Sequence, residues 1–276
     1  IAFCALGAPD VLARYDAGGI LVFNDPCRAV RAIHAICGAD GAQAGKPAAK
    51  MPAPAIVTLP DHAPDEAQAK LILADAGIAC APEARAQSVE DAVRAAQVLG
   101  YPVVMKILSP DIIHKSDIGA VKLNLACDND VAAAFADIMQ AAKTHAPNAA
   151  IAGILVAKQL GGGVECLMGI NRDPTFGPVA VFGLGGIFVE LLDDVAVRVC
   201  PFDVATARDM IGSIRGAPIL NGARGQAPVM LSRLSLFAAG AGARLLSVDL
   251  NPVLAMPAGQ GAYALDAVIE LDEGTI

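Results

Sequence analysis

Four groups of residues in this chain have types and spacings suited to chemistry. The first is a single lysine, Lys106, inside the apolar run Val103-Val-Met-Lys-Ile-Leu108. A buried ammonium is costly unless an anion meets it; otherwise such a lysine snorkels out from a strand end. At about 4 Å, an ammonium and a phosphate oxygen attract by ~4 kcal/mol at an effective dielectric of ~20, which offsets part of the burial. The second group follows directly, in Ser109-Pro-Asp-Ile-Ile-His-Lys-Ser-Asp-Ile-Gly119. There His114 is either an ordinary surface histidine or a phosphoryl carrier. Neutral imidazole is a competent nucleophile near neutral pH, and the neighbouring Lys115 would favour the phosphorylated product.

The third group is Gly183-Leu-Gly-Gly186, with Glu190 and Asp194 after it. Its G-x-G-G spacing fails as a dinucleotide fingerprint. Backbone amides approaching a phosphate and a tight turn between strands both remain open. The fourth is Val248-Asp-Leu-Asn-Pro-Val253 together with Leu265-Asp266. Asp249 and Asn251 sit two apart on a strand and share a face, and Asp266 could add a third oxygen. A few oxygen ligands that share coordination with phosphates suit Mg²⁺; a capped turn at Asn-Pro is the alternative.

These residues need elements to hold them. Apolar and breaker patterns predict a helix over 65–76 with Ala67, Leu71, Ile72 and Ala76 on its apolar face, ended by Gly77. Ser88-Val-Glu-Asp91 opens a second helix that runs to Gly100. Strands are expected at 102–107 and 120–125, with a helix at about 129–144 between them and the apolar runs 151–160 and 164–170. Gly161-Gly-Gly163 between those runs predicts a tight reversal. Strands at 178–182, 195–199, 245–250 and about 262–269, and helices at 203–214 and 228–240, complete the pattern. Mixed strands and helices with many hairpin-like joins place the chain in an α/β, more specifically α+β, class. Gly41 to Pro60, rich in Pro, Ala and Gly, reads as a linker. Before it, Gly19–Phe23 reads as a short buried strand, and Asn24-Asp25-Pro26 opens a helix with Ala29, Ile33 and Ile36 on one face.

Composition narrows the classes. The chain has 276 residues, 55% of them hydrophobic, no tryptophan and a formal charge of −8. That balance argues against a general nucleic-acid surface, and the most apolar stretch, 178–192, is too broken by glycine for a bilayer. No membrane and no nucleic-acid partner are expected, and the setting is cytoplasmic. The seven scattered cysteines are read as buried free thiols in a reducing compartment. A first residue other than Met, entering an apolar segment without a basic leader, is read as a piece of a longer polypeptide.

Taken in order, Lys106 with 109–119, Gly169-Ile-Asn-Arg-Asp-Pro-Thr-Phe-Gly-Pro178, Val181-Phe-Gly-Leu-Gly-Gly-Ile-Phe-Val-Glu190, Leu220-Asn-Gly-Ala-Arg-Gly225 and Asp249-Leu-Asn-Pro252 form a longer signature. Residues 61–276 closely resemble the ATP-grasp portion of the ADP-forming (NDP-forming) acyl-CoA synthetases, relatives of succinyl-CoA synthetase. The resemblance implies an ATP-grasp fold of two subdomains over 61–276. It makes 41–60 a linker and 1–40 the end of a flavodoxin-like CoA-ligase domain. It implies acyl acid + CoA + ATP ⇌ acyl-CoA + ADP + phosphate, run through a phosphohistidine relay. Lys106 would contact the nucleotide phosphates; Asn251 and Asp266, with Asp249 alongside, would bind Mg²⁺; His114 would match the family's relay histidine. Glu165, Arg172, Arg198, Gly185 and Gly186 are expected in the nucleotide cleft, and Arg224 more distantly. ATP/ADP and Mg²⁺ are the implied cofactors, with CoA bound in domains outside this chain. The implied partners are the CoA-binding and phosphohistidine domains, in the same polypeptide or in a partner subunit, within a homo- or hetero-oligomer. The sequence departs from the family pattern at Gly119-Ala120, where Gly-Gly is usual, and lacks an aspartate usual near Met230. Two other readings stay open. One is an ATP-grasp carboxylate–amine ligase, which would need no phosphohistidine. The other is a regulatory nucleotide- or acyl-CoA-sensing module of a protein acetyltransferase.

Overall fold

A computed structural model of the chain describes residues 2–4, 9–18, 21–23, 25–43, 53–109, 111–112, 115, 117–186, 194–220 and 226–272. Contacts divide it into two units, 1–51 and 52–276. In the first, β1 (Ala2–Cys4) and β2 (Leu21–Phe23) pair in parallel, joined through α1 (Pro9–Ala17) and followed by α2 (Pro26–Gln43). Parallel neighbours require such a crossover. Pro26 opens α2 where its missing N–H costs nothing, and the Asp25 carboxylate accepts the Arg28 N–H at 2.8 Å. Ala29 is buried as expected, whereas Ile33 is 44% exposed. The helix continues to Gln43, three residues into the stretch read as linker. Ile36 has a side chain outside the described set.

The second unit holds two antiparallel sheets, each covered by helices on one face. A four-stranded sheet runs in the order β3 (Glu83–Ala86), β6 (Gly153–Lys158), β4 (Val103–Leu108), β5 (Val121–Leu125). Helices α4 (Val89–Leu99) and α5 (Asp128–His145) cover it, and Val103, Met105, Ile107, Ile154 and Val156 are buried beneath them. Ser88 caps α4, its side chain accepting the Asp91 N–H at 3.1 Å, and Gly100 ends the helix at φ 76°. Strand alternation then sends Val104 and Lys106 to the opposite, helix-free face.

The larger sheet has the order β11 (Ala262–Ala264), β10 (Leu245–Ala255), β7 (Val164–Asp173), β8 (Gly177–Leu184), β9 (Val195–Val199), and β12 (Val268–Leu271) also pairs with β10. Its covered face packs Met168, Ile170, Phe182, Val248 and Leu250 against α6 (Val204–Ser213) and α7 (Ala227–Gly240). The remaining helix, α3 (Glu66–Asp75), opens with a complete capping box between Asp65 and Gln68.

Three expectations fail here in whole or in part. Gly161-Gly-Gly163 is not a hairpin turn, because β6 and β7 belong to different sheets and the glycines carry the chain from one to the other. A side chain at Gly163 would lie 2.7 Å from Leu254 Cγ and 2.8 Å from the Ala255 carbonyl. The apolar face assigned to the helix over 65–76 holds in part: Ala67 is buried and Ile72 and Ala76 pack against the core, but Leu71 is 67% exposed, and α3 also buries Glu66, Ala69, Lys70 and Leu73. Of the cysteines, Cys166 and Cys200 are buried, but Cys4, Cys27 and Cys127 are exposed rather than buried. Among the described residues, no helix is long and apolar enough to cross a membrane.

Candidate nucleotide cleft

The helix-free face of the small sheet and the loop ends of the large one border a cleft of about 750 Å³. One end is cationic. Lys106 Nζ donates to Glu66 Oε1 at 3.1 Å, to the Leu265 carbonyl at 2.9 Å, and lies 3.4 Å from Asp266 Oδ2. Lys115 reaches the other oxygen of the same Glu66. Behind them Lys70 Nζ donates to Glu66 Oε1 at 2.9 Å, Glu83 Oε2 at 2.7 Å and the Leu265 carbonyl at 2.9 Å. Burial alone would raise the Glu66 carboxyl, but the charges of Lys106, Lys70 and Lys115 outweigh it and hold the group far below the usual range. Glu83 goes the other way: burial lifts it, against the pull of Lys70. Lys106 is therefore neither snorkelling nor unpaired. It is held by an anion, as the cost of burial requires.

Oxygen donors face these lysines. Asn251 lies where β10 bulges, between Leu250 opposite Met168 and Val253 opposite Cys166. A bulge re-aims a side chain, and Asn251, with Asp266, lines the cleft. Asp249 pairs with Gly169 on the sheet face away from α6 and α7. It is solvent-exposed yet hemmed in by the packed sheet. Desolvation first, then the Asp266 and Glu270 carboxylates, push its carboxyl above the usual aspartate value. Among the described residues, no group of three or more His, Cys, Asp or Glu side chains could hold a metal alone. Two like-charged aspartates and an amide oxygen still suit Mg²⁺, which takes few protein ligands and fills its shell with phosphate oxygens and water.

The cleft lining also has apolar side chains, Val104, Val121, Leu123, Ala157, Leu160 and Pro252, along with Lys158. Gln159 borders it with its amide locked: Oε1 accepts the Asn124 N–H and Nε2 donates to Asn124 Oδ1, both at 2.7 Å. Glu165 lines the same cleft. Gly185 packs so closely on it that a β-carbon would sit 2.9 Å from Glu165 Cβ, and the Gly185 N–H donates to the Glu165 carbonyl at 2.7 Å. Gly186 has φ +68°. The glycine pair is thus a close approach to a cleft residue.

The structure brings together Lys106, Glu165, Gly185, Gly186, Asn251 and Asp266, with Asp249 adjoining. It does not bring in Arg172 or Arg198. Directly paired residues share a sheet face, and Arg198 pairs with Ala180, which pairs with Ile170, on the side buried under α6 and α7. Arg172, two residues from Ile170, shares that side, and its guanidinium donates to the Leu245 carbonyl at 2.7 Å and to that of Gly242. The expectation that both face the cleft is corrected by strand parity. Lys122 likewise turns away, pairing with Asp137 of α5 at 3.1 Å. His114, Glu190 and Arg224 lie outside the described residues. What sequence reasoning missed is the carboxylate partner of the lysines. Glu66 and Lys70, four apart on one helix, were the available signal.

Comparison with known proteins agrees with this cleft between two sheets. A family described as the ATP-grasp domain matches residues 58–271. The chain is 43% identical over 208 residues to the beta subunit of an ADP-forming acetate–CoA ligase from Pyrococcus furiosus, which covers 73% of this chain and 89% of that one. It is 41% identical over 213 residues to the ADP-forming 4-hydroxybutyrate–CoA ligase of Nitrosopumilus maritimus, covering 75% of this chain but 30% of that longer protein. An acetyl-coenzyme A synthetase structure from Ca. Korarchaeum cryptofilum superposes with a TM-score of 0.72 at 39% identity, over 76% of this chain and 93% of that one. The fold and cleft define an ATP-grasp protein. The chain belongs to the ATP-grasp family in the branch of the ADP-forming acyl-CoA ligases, and corresponds to their beta-type portion.

Proposed function

We propose that this chain binds Mg²⁺ and an adenine nucleotide in the cleft and exchanges the terminal phosphoryl group with a histidine, as its share of acyl acid + CoA + ATP ⇌ acyl-CoA + ADP + phosphate. One observation carries the reading: Lys106 and Lys115 share a 750 Å³ cleft with Asn251 and Asp266 and with the apolar side chains of Val104, Leu123, Ala157 and Leu160. A polyphosphate suits the charged groups and a base the apolar ones. Related Korarchaeum structures, described with Mg- or Ca-bound nucleotide analogues and with a phosphohistidine segment pointing towards the nucleotide binding site, support the assignment.

Asp249, Asn251 and Asp266 would hold Mg²⁺, which neutralises phosphate charge when bound. Lys106 would offset the charge on the transferring group, a contribution largest in a water-poor cleft. Glu165 lines the same cleft. His114 would form the N–P bond as the bond between the γ-phosphorus and the β,γ-bridging oxygen breaks, with ADP leaving. CoA and the second phosphohistidine would come from domains outside 52–276, and residues 1–40 are read as the end of the CoA-ligase domain. Their parallel β1–α1–β2 unit accords with that origin.

The test is incubation of the full-length protein with γ-labelled ATP and Mg²⁺, with and without the partner domains. Acid-labile label on the chain, abolished in His114→Ala, is expected. Acyl-CoA synthesis unchanged by His114→Ala would sink the relay.

A further inference from the structure

The cationic end of the cleft is organised by a residue that does not line it. Glu66 has a side chain only 4% exposed, and it accepts from ammonium groups delivered by three places in the fold. Lys70 comes from its own helix, Lys106 from β4 and Lys115 from the segment after β4. Two of them, Lys106 and Lys115, face the cleft; Lys70, backed by Glu83, does not. Three ammonium groups converging without an anion would repel by ~4 kcal/mol per pair at 4 Å and a dielectric of ~20. Lys106 has other anchors in Leu265 and Asp266. Lys115, on an irregular segment, has Glu66 as its salt-bridge partner among the described residues.

We propose that Glu66 is the positioning residue of the phosphate end: its buried carboxylate gathers Lys106 and Lys115 into one cationic pair aimed at the terminal phosphates of the nucleotide. This rests on the reading of the cleft as a nucleotide site. Glu66 itself stays out of reach of the ligand, because Oε1 is taken by Lys70 and Lys106 and Oε2 by Lys115. Its influence is therefore confined to the phosphates that the two lysines meet, and binding of the base is indifferent to it.

That confinement gives a readout that a merely structural role would not produce. Adenosine, AMP, ADP and ATP are titrated with Mg²⁺ into the full-length protein and its Glu66→Gln variant by calorimetry, at a temperature where circular dichroism shows both folded. We expect ADP and ATP to bind about tenfold or more weakly to the variant while adenosine stays within about twofold. If Glu66→Gln does not fold, Lys115→Gln, altering a residue outside any helix or strand, must give the same selective loss. Equal losses across the series would reduce Glu66 to a structural residue and overturn the proposal. Tighter ADP binding would overturn it too, marking Glu66 as an anion that competes with phosphate. Failure of the wild-type protein to bind ADP would instead overturn the nucleotide reading on which the proposal rests.

Discussion

Glu66 and Lys70 show how a buried ion pair behaves when its geometry is favourable. Both side chains are under 5% exposed, so each would lose hydration worth several kcal/mol without partners. The cluster provides them from three elements and one carbonyl. Lys70 is pulled down by burial, but Glu66 and Glu83 more than reverse this and raise its pKa. A raised lysine contributes stability that is present below its unfolded pKa and lost only as pH rises through the folded one. The depressed Glu66 contributes stability present above the unfolded carboxylate value, about 4.3, and lost as pH falls towards its folded value. Across neutral pH, then, the contribution is flat. Lys70→Met removes the inner cation and breaks its salt bridge to Glu83. We expect a loss of about 3 kcal/mol in urea unfolding at pH 7, with the difference from wild type shrinking below about pH 4. A deficit that persisted undiminished at pH 3 would contradict the ionic account. The same pair explains what was hard to read. The spacing of Ala67, Leu71, Ile72 and Ala76 suggests one helix face; Ala67, Ile72 and Ala76 do pack inward, but Leu71 is exposed and the charged Glu66 and Lys70 are buried instead. Periodicity counts charged residues as outward-facing and misses those paired inside.

At the level of elements, strand alternation put Lys106 on the helix-free face of its sheet. Lys106 in a run of Val, Met and Ile had to face away from whatever covered its neighbours, and Asp249 and Asn251 had to share a face until the bulge intervened. The bulge itself, the passage of Gly161–Gly163 between sheets, and the placing of Arg172 and Arg198 on the face away from the cleft depend on pairing register, which local pattern does not encode. The glycines of Gly183-Leu-Gly-Gly186 were legible only as small residues near something; the structure identifies Glu165 as that neighbour. Gly185 carries a specific prediction. A β-carbon there would meet Glu165 Cβ at 2.9 Å and its backbone carbon at 3.0 Å, so β7 and the end of β8 must separate. Gly185→Ala should cost about 1–3 kcal/mol and weaken nucleotide binding through displacement of Glu165. Gly212→Ala, where nothing lies within 4 Å of the added carbon, should do neither. Thermal unfolding and ADP titration of the two variants side by side check this; equal behaviour would show that the contact is not tight.

On the scale of the whole molecule, every side chain assigned to the cleft and both large apolar clusters belong to residues 52–276. The small sheet, with α4 and α5, supplies the lysines; the large sheet, with α6 and α7, supplies the oxygens; α3 contributes the carboxylate that ties one to the other through Leu265 and Glu66. None of these contacts draws on β1, α1, β2 or α2. The chain spans nearly all of the Pyrococcus beta subunit but under a third of the single-chain 4-hydroxybutyrate ligase, so binding and complete turnover are expected to separate physically. Removal of residues 1–51 should leave a folded protein whose affinity for ADP with Mg²⁺ is within about twofold of the full-length chain, a change under 0.5 kcal/mol by the usual conversion of ratios to free energy. Acyl-CoA synthesis by the truncated chain should require added CoA-binding and phosphohistidine domains. Calorimetry with ADP and a CoA-dependent assay, run on the same preparations, separate the two properties. Loss of ADP binding on truncation, in a protein shown folded by circular dichroism, would mean that residues 1–51 reach into the nucleotide site, and the division of labour between the two units would have to be redrawn.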